Sequence, residues 1–373
     1  MSGWTRASPL DAGWRERAMR AQEQAVPRGQ TVVSCQAPPG RGGIGRHVQE
    51  ILEALERAGA PAQRIGNPDG ESGAAQRFDR FKLLRPLNPL LRQSTAARAR
   101  VSSARFDFRA AKEVRQGEHL IAFNGTALTQ FRAARGAGFR SLSLVSANSH
   151  IRRVVERHAR AFRQYPIERP WATQIVRRNE REYALADRIL VSSGYIRESF
   201  AERGFADERL AFFPLTPDPR YAPAERANPA STFDVVYVGS LLVHKGVPLL
   251  LDAFSRLPQP DLRLVLVGGW KTREMRNFVE AACARDERIH VRPGDPLAYV
   301  QGARVCVHAA YEDGFAYAPA EALACGVPLL VSEDTGMKEL IESERDGLIL
   351  PTGDLDALTQ ALEAAYRGEI FGG

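Results

Sequence analysis

The chain has 373 residues, of which 44% are apolar and 25% are charged, and its net charge is +7 at pH 7. This length suits two domains, and the composition is typical of globular proteins rather than of disordered or fibrous ones. No stretch approaches the ~18 apolar residues that span a bilayer, and the polar N-terminus lacks the apolar core of a signal peptide, so we expect a cytoplasmic protein.

The two halves of the chain carry opposite charge. Residues 1–230 contain 38 Lys and Arg against 23 Asp and Glu, whereas residues 231–373 contain 13 against 21. The basic half suits an anionic membrane surface or an anionic acceptor, and an arginine-rich surface without a partner is the alternative. No helix-turn-helix, zinc-finger or RNP pattern accompanies the charge, so we expect no nucleic acid partner.

The N-terminal half predicts alternating strands and helices after a polar, partly helical lead-in at 1–29. A β-branched run at 31–35 leads into a glycine loop at 40–45, and the apolar spacing at 46–58 predicts a helix. The remaining elements expected in this half are strands at 120–123, 141–145, 188–192 and 209–213, and helices at 127–135, 171–186 and 194–203.

Residues 66–105 interrupt this alternation. They are rich in Arg, Ser, Gly and Pro and have weak periodicity, which predicts an insertion or mobile loop. Within them, residues 81–92 mix apolar and basic side chains and suit a membrane surface. Because Pro86 and Pro89 prevent one regular helix, a flap packed on the domain is the slightly favoured alternative.

Residues 214–232 hold five prolines and few apolar residues, which predicts a linker. In the second half of the chain, short apolar strands and helices alternate at shorter intervals. Its expected strands lie at 234–238, 263–267, 289–292, 305–308, 329–331 and 347–350, and its helices at 246–256, 271–284, 295–301, 318–324, 336–342 and 355–366.

Apolar strands that alternate with helices predict an α/β protein with parallel sheets and crossover helices. We expect an N-terminal domain at 30–213 and a C-terminal domain at 233–373. Ligands of such folds bind at the carboxyl ends of the strands, which here predicts a site in the cleft between the two domains.

Two glycine motifs suggest phosphate binding. In the loop at 40–45, Gly42 and Gly43 precede a helix, where free backbone amides suit a phosphate, although a tight turn without a ligand explains the same residues. In the second motif a strand ends at Gly239, and Lys245 stands just before the next helix. A lysine there reaches a diphosphate as a point charge, and a solvated lysine is the alternative.

The most specific motif is an acidic loop followed by a helix, at 311–328. Asp313 lies in the loop and Glu321 lies eight residues later, one turn inside the helix. Carboxylates in this arrangement suit the vicinal hydroxyls of sugars, and the backbone amides of Phe315 and Ala316 suit phosphates. An N-capping Asp with a surface Glu is the alternative, which Gly314 and the small residues around Glu321 make less favourable.

This motif resembles that of the family-4 retaining glycosyltransferases, whose GT-B fold consists of two Rossmann-like domains with an inter-domain cleft. The resemblance runs from about residue 30 to 367. The segments that carry it are Gly42-Gly43-Ile44-Gly45-Arg46, Gly239 to Lys245-Gly246, the run at 250–254, and Asp313 to Glu321 with Ala322, Ala324-Cys325-Gly326 and Pro328.

The resemblance implies roles for these residues. Glu321 is expected to hold the ribose hydroxyls, Asp313 to contact the transferred sugar, and Lys245 to neutralise the leaving diphosphate. The other donor-binding residues it implies are Gly42, Gly43, Gly239, Ser240, Val291, Arg292, Gly314, Phe315 and Ala316, with base contacts from the backbone around Val291 and Arg292. His150 is expected near the sugar and acceptor, and a hydrogen-bonded histidine at a strand end is its alternative.

The resemblance further implies a retaining, metal-independent transfer of a hexose-type sugar from a UDP- or GDP-sugar. The expected acceptor is a glycan or a lipid-linked molecule of cell-surface polysaccharide or lipopolysaccharide biosynthesis. We therefore expect no cofactor and no metal, and we expect peripheral association with an anionic membrane. The cysteines, which form no CxxC pair, also argue against a structural zinc site and a disulfide framework.

Three features depart from the family pattern. The first acid is Asp313 rather than Glu, Ser240 replaces an arginine, and the chain ends soon after the predicted helix at 355–366. The last feature predicts a truncated sequence. These departures keep open a non-catalytic relative that binds a nucleotide sugar or a protein. An oxidoreductase or epimerase on two Rossmann domains is a third possibility, which the glycine spacing and the acidic loop disfavour.

Overall fold

The structure is a computed structural model that describes residues 10, 12–67, 95–224 and 232–371. It contains two six-stranded sheets in which every strand pair is parallel. The prediction of an α/β protein with two Rossmann-like sheets is confirmed. The candidate membrane segment at 81–92 and part of the predicted linker lie outside the described residues.

The chain divides into two compact units. The N-terminal unit comprises Ala18–Arg152 and Trp171–Leu215, and the C-terminal unit comprises Met1–Arg17, Arg153–Pro170 and Thr216–Gly373. The segment Arg153–Pro170 therefore belongs with the C-terminal unit although it comes before the last strands of the N-terminal sheet. Local periodicity gave no reason to separate it from residues 30–213.

The N-terminal unit holds the first sheet, whose strand order is β2-β1-β3-β4-β5-β6. Its strands are β1 (Thr31–Ser34), β2 (Ala62–Ile65), β3 (His119–Phe123), β4 (Ser141–Ser146), β5 (Arg188–Val191) and β6 (Leu210–Phe212). The helices from the N-terminus to β6 are α1 (Ala12–Ala25), α2 (Gly42–Arg57), α3 (Thr95–Glu113), α4 (Leu128–Gly136), α5 (Ile151–Gln164), α6 (Val176–Leu185) and α7 (Gly194–Ala201).

The C-terminal unit holds the second sheet, whose strand order is β12-β11-β10-β7-β8-β9. Its strands are β7 (Phe233–Val238), β8 (Leu262–Val267), β9 (Ile289–Arg292), β10 (Val305–His308), β11 (Leu329–Ser332) and β12 (Gly347–Leu350). Its helices after β7 are α8 (Val247–Ser255), α9 (Arg273–Arg285), α10 (Leu297–Gly302), α11 (Tyr317–Ala324) and α12 (Leu355–Arg367).

Side chains that alternate along the second sheet build a core on each of its faces. On β10, Val305 and Val307 pack with α8 and α12, whereas Cys306 packs with α11. Helix α5 contributes Ala161 and Phe162 to the first of these cores, so it buries apolar surface in the C-terminal unit. The alternation of side chains along β10 thus places its carboxyl end between two packed helical layers. The loop that carries Asp313 begins at this end.

Two helices were not predicted from the sequence. Helix α3 begins at Thr95, inside the range predicted as an insertion, and α5 spans a stretch to which no element was assigned. Both are rich in arginine, and the sequence analysis did not assign their apolar residues to a helix, although Ile151, Val154 and Val155 of α5 follow helical spacing. Packing of buried positions such as Ala110 and Ala161 stabilises both helices.

Candidate active site

The second sheet reverses its strand order between β7 and β10. In chain order its strands run 3-2-1-4-5-6 across the sheet, the doubly wound arrangement in which ligands bind outside the carboxyl ends of the two strands at the reversal. The loop after β7 carries Lys245, and the loop after β10 carries Asp313. The topology therefore brings together the two motifs that the sequence analysis treated separately.

Lys245 and Asp313 form an ion pair at this point. Lys245 Nζ lies 2.6 Å from Asp313 Oδ2, and His308 Nε2 lies 3.2 Å from the same oxygen. The side chain of Lys245 is only 21% exposed and that of Asp313 only 12%. Burial alone would raise the pKa of Asp313, but the charge of Lys245 and the hydrogen bond from His308 hold it well below its usual range. The carboxylate is therefore ionised at neutral pH.

The backbone fixes the turn that carries Lys245, a single 3-10 turn at Val243–Lys245. Gly246 follows it with φ +74°, and a Cβ atom there would lie 1.9 Å from the carbonyl oxygen of Ala309. Only glycine allows this approach, and the amide of Tyr311 donates to the carbonyl of His244 at 2.9 Å. The Lys245 turn is thus held against the chain that leaves β10.

The loop that carries Asp313 is held from its other side. The Gly336 amide donates to the Asp313 carbonyl at 3.0 Å, and Asp313 pairs with Thr335 in an isolated parallel bridge. Arg157 of α5 forms an ion pair with Asp334, in which Nε lies 3.0 Å from Oδ1. Backbone pairing and this buried carboxylate therefore determine where Asp313 points.

Glu321 lies on α11 and is 4% exposed, so its carboxylate is inside the unit rather than on its surface. Burial, together with the nearby charge of Glu321, raises the pKa of Cys306 and of Cys325 to about 12, which keeps both thiols protonated. A buried charge on a helix of small residues does not fit the alternative of a surface glutamate. It fits a group that receives a polar ligand.

The loops after β7 and β8 lie against each other. A Cβ atom on Gly268 would come within 1.9 Å of the Gly239 carbonyl oxygen, and the Leu241 amide donates to the Gly269 carbonyl at 3.0 Å. Tyr237 donates its hydroxyl to the Ser240 carbonyl at 2.9 Å. Gly239 and Ser240 therefore contribute a fixed backbone, which packs against Gly268, a glycine that follows an apolar strand as Gly239 does and that the sequence analysis did not single out.

Gly314, Phe315 and Ala316 lead into the N-terminus of α11, which has no side-chain cap. Gly314 is buried, whereas Phe315 and Ala316 are half-buried. The Ala316 amide donates to Met337 Sδ at 3.0 Å, and a thioether is a weak acceptor. This amide therefore reaches a phosphate only by exchanging that contact.

Val291 and Arg292 lie on β9, at one edge of the sheet. The Arg292 carbonyl accepts from the Gly268 amide at 3.2 Å, so it is engaged with the neighbouring strand. Along a strand, the amides and carbonyls of successive residues point to opposite edges. Because those of Arg292 face β8, those of Val291 point away from β8. Of the two predicted base contacts, the backbone of Val291 is the one that faces outward.

The predicted residues of the N-terminal unit lie in two different settings. Gly42 and Gly43 are exposed at the start of α2, and a Cβ on Gly45 would meet the Pro38 carbonyl oxygen at 2.2 Å. His150 is 4% exposed among Tyr183, Phe200 and Phe205, and its Nδ1 accepts from the Arg152 amide at 3.3 Å. This environment favours the structural role that the sequence left open for His150.

The N-terminus of α4 in the same unit is already occupied by carboxylates. Glu182 accepts from the Ala127 amide at 3.0 Å and the Leu128 amide at 3.2 Å, and Asp107 accepts from the Thr129 amide at 2.8 Å. Arg178 forms ion pairs with both acids. Because internal carboxylates fill this helix terminus, it does not serve as a phosphate site.

Two histidines stack beside the ion pair. The rings of His158, on α5, and His244 have centroids 4.2 Å apart and an interplanar angle of 29°. Burial, with a contribution from the charge of Lys245, lowers the pKa of His158 to about 3, and burial lowers that of His244 as well. Both rings are therefore neutral at neutral pH and add no charge that competes with Lys245.

Within the described residues, no group of three or more His, Cys, Asp or Glu side chains is arranged to hold a metal ion. The expectation of metal-independent chemistry stays a prediction. Over the same part of the chain, no helix combines the length and the apolar character needed to cross a membrane.

Comparison with known proteins finds glycosyltransferases that match part of the chain. Residues 222–370 match the family model of the glycosyl transferases group 1. The chain is 28% identical over 161 residues to a D-inositol 3-phosphate glycosyltransferase of Arthrobacter sp. (strain FB24), a match that covers 40% of this chain and 38% of that protein. It is 29% identical over 132 residues to an O-antigen chain mannosyltransferase B of Escherichia coli, covering 33% of this chain and 34% of that protein.

The whole chain resembles solved structures in fold. Sucrose-phosphate synthase from Thermosynechococcus elongatus superimposes with a TM-score of 0.66 at 20% identity, covering 91% of this chain and 90% of that one. By contrast, the sequence matches span only about a third to two fifths of the length of the curated relatives. The two parallel sheets are those of the GT-B fold.

A double-mutant cycle tests the coupling of Lys245 and Asp313. Lys245→Met leaves a buried carboxylate without its cation, so we expect the free energy of unfolding in urea to fall by about 3 kcal/mol. Adding Asp313→Asn should recover part of this loss, with a coupling energy of ~1–3 kcal/mol. The exposed pair Arg276–Glu280 is the control, for which we expect less than ~0.5 kcal/mol. Additive effects at the buried pair would contradict the assignment.

The neutral His158 predicts acid sensitivity. The unfolded chain binds a proton on His158 below about pH 6.5, whereas the native state resists protonation down to about pH 3, so stability falls as the pH drops through this window. From pH 7 to pH 5 this group alone should cost about 2 kcal/mol. In His158→Phe, which keeps a ring on His244, the fall between these pH values should be smaller by that amount. Identical pH dependence in both proteins would refute the prediction.

Proposed function

Because residues 222–370 form a glycosyl transferases group 1 domain on a chain of GT-B fold, we propose that the protein is a glycosyltransferase that uses a nucleotide-diphosphate sugar. The donor is a UDP- or GDP-linked hexose, and the acceptor is a glycan or a lipid-linked molecule. The observation that carries the proposal is the Lys245–Asp313 ion pair at the strand reversal of the second sheet, with the buried Glu321 on the helix that follows.

Each of these groups takes one part of the donor. Lys245 neutralises the diphosphate, which replaces Asp313 as its main anionic partner and leaves this carboxylate to accept hydroxyls of the transferred sugar. Glu321 accepts the ribose hydroxyls. The uncapped N-terminus of α11 adds partial positive charge next to Gly314 and Phe315.

The reaction follows a front-face course with retention of configuration. The acceptor hydroxyl attacks the anomeric carbon on the side from which the diphosphate leaves, and a diphosphate oxygen takes the hydroxyl proton. The bond from the anomeric carbon to the diphosphate oxygen breaks as the new glycosidic bond forms. Catalysis then rests on positioning and on charge neutralisation by Lys245, without a metal ion.

The acceptor belongs to cell-surface polysaccharide or lipopolysaccharide synthesis. This assignment is supported by the similarity to an O-antigen chain mannosyltransferase and by the excess of basic residues in the first 230 residues of the chain. A basic unit attracts anionic glycans and the phosphates that link glycans to lipids.

An exposed stripe on α3 supports peripheral association with an anionic membrane. Phe108 is 60% exposed, the Lys112 ammonium lies 4.6 Å from the centre of its ring, and Arg105 is exposed one turn away. An aromatic ring flanked by cations suits the boundary between lipid headgroups and acyl chains. The protein itself is then cytoplasmic, at the inner face of the membrane.

Glu321→Gln tests the donor site. We expect the variant to lose at least about tenfold in affinity for the preferred nucleoside diphosphate, because an amide offers one acceptor where the carboxylate offers two stronger ones. Thermal shifts with UDP, GDP and ADP identify the preferred base, and calorimetric titration measures the affinity. Glu363→Gln, on the exposed face of α12, is the control and should bind as the wild type does.

Three results would change the proposal. No stabilisation by any nucleoside diphosphate would contradict a donor site, and unchanged affinity in Glu321→Gln would contradict its location. Binding without consumption of any UDP- or GDP-sugar, with membrane extracts as acceptor source, would favour the non-catalytic alternative.

Phe108→Ser tests the membrane contact. Co-sedimentation with vesicles that contain anionic lipid should fall several-fold in this variant, since the ring no longer inserts, and binding of the wild type should weaken as salt rises. Phe212→Ser is the control, because Phe212 is also an exposed aromatic residue of the N-terminal unit but lies on the edge strand β6. Absence of wild-type binding at low salt would exclude the membrane contact.

A further inference from the structure

We propose that Glu168, on the segment Arg153–Pro170, is a positioning residue that holds the Lys245 turn in the geometry required by a donor diphosphate. The inference rests on the proposed function for its ligand. It assigns to Glu168 a part in the donor site, although this residue precedes Val243, at the start of the Lys245 turn, by 75 positions in the chain.

Glu168 contacts the turn directly. Its Oε2 accepts from the Val243 amide at 2.8 Å, and its Oε1 accepts from the Thr272 hydroxyl at 2.5 Å. Val243 is the first residue of the 3-10 turn that ends at Lys245, and Thr272 is the N-cap of α9. One carboxylate therefore ties the start of the turn to the start of a helix of the same unit.

The turn needs this support because it supplies little of its own. It is three residues long, and no side-chain cap stabilises its start at Leu242. Its internal bonds run from the Lys245 amide to the Leu242 carbonyl, at 3.3 Å, and from the Gly246 amide to the Val243 carbonyl, at 3.0 Å. A one-turn 3-10 segment with such bonds is weakly stable alone.

Other contacts from the same segment surround the ion pair. The His158 ring stacks on that of His244, the residue next to Lys245, and Arg157 pairs with Asp334, whose neighbour Thr335 pairs with Asp313. Gln164 accepts from the Tyr311 hydroxyl at 2.7 Å. The segment thus contacts both loops of the site, and Glu168 accepts a hydrogen bond from the backbone of the Lys245 turn.

Positioning of the turn matters because the ammonium of Lys245 sits on a flexible stem and acts as a point charge. Ser240, on the loop that precedes the turn, adds no charge. A displacement of the turn by about 1 Å lengthens the contact with a diphosphate and weakens it more than the contacts with the nucleoside, which come from other residues. The role of Glu168 is therefore specific to the diphosphate.

The experiment compares Glu168→Ala, Glu168→Gln and Tyr165→Phe with the wild type. The ligands are the preferred nucleoside diphosphate among UDP, GDP and ADP, and the monophosphate of the same base. Amide hydrogen exchange at Lys245 and Gly246 is measured on the unliganded proteins. Tyr165→Phe is the matched control, because it removes a hydrogen bond of the same segment, to Asp252 at 3.0 Å, away from the turn.

We expect Glu168→Ala to bind the diphosphate about tenfold more weakly and the monophosphate within about twofold of the wild type. Exchange at Lys245 and Gly246 should be at least about tenfold faster. Glu168→Gln keeps one acceptor oxygen, so both effects should be intermediate. Tyr165→Phe should match the wild type in each measurement.

A merely structural role would weaken both nucleotides equally or lower the melting temperature without changing their affinity ratio, and either result would overturn the proposal. Unchanged exchange at Lys245 and Gly246 would also overturn it. If the wild type binds no nucleoside diphosphate, the proposed function fails, and the exchange measurement still decides separately whether Glu168 orders the turn.

Discussion

The ion pair between Lys245 and Asp313 is the interaction on which the rest of the site depends. Two charges with little exposure are costly to desolvate, so they persist only where geometry and additional hydrogen bonds compensate. The surrounding residues supply this compensation. His308 Nε2 lies 3.2 Å from the carboxylate, Gly246 brings the lysine turn against the chain leaving β10, and Asp313 pairs with Thr335 through the backbone.

The sheet determines where this pair can form. Loops from β7 and β10 meet because the strand order reverses between these two strands, and the strands are fixed by apolar cores on both faces of the sheet. The donor that we propose would replace, at this point, interactions that the unliganded protein already satisfies. Lys245 would then exchange one anionic partner for another, which costs less than leaving its charge buried and unpaired.

Local patterns in the sequence predicted the features that depend on local order. The strands other than β2 (Ala62–Ile65), the glycine that ends β7 and the acidic loop before α11 all follow from residue type and spacing, whereas β2, Ala-Gln-Arg-Ile, has no β-branched run and was not predicted. The contacts of Glu168 and His158 could not be predicted, because they join residues more than 70 positions apart, and local spacing does not say which distant residue a side chain meets. For His150 the local motif was misleading. Its motif suggested chemistry, but the aromatic residues around it come from distant positions and give it a buried setting.

Charge links the segment Arg153–Pro170 to the site in a second way. Residues 231–373 have an excess of acidic over basic residues, which on its own opposes an anionic donor. The segment contributes five arginines against two glutamates to the same unit, and one of those glutamates is half-buried against Val243 and Thr272. Because screening confines such effects to about 8–10 Å at physiological salt, arginines next to the ion pair matter more than the net charge of the unit. A basic helix taken from the first half of the chain thus offsets an acidic unit where an anion is proposed to bind.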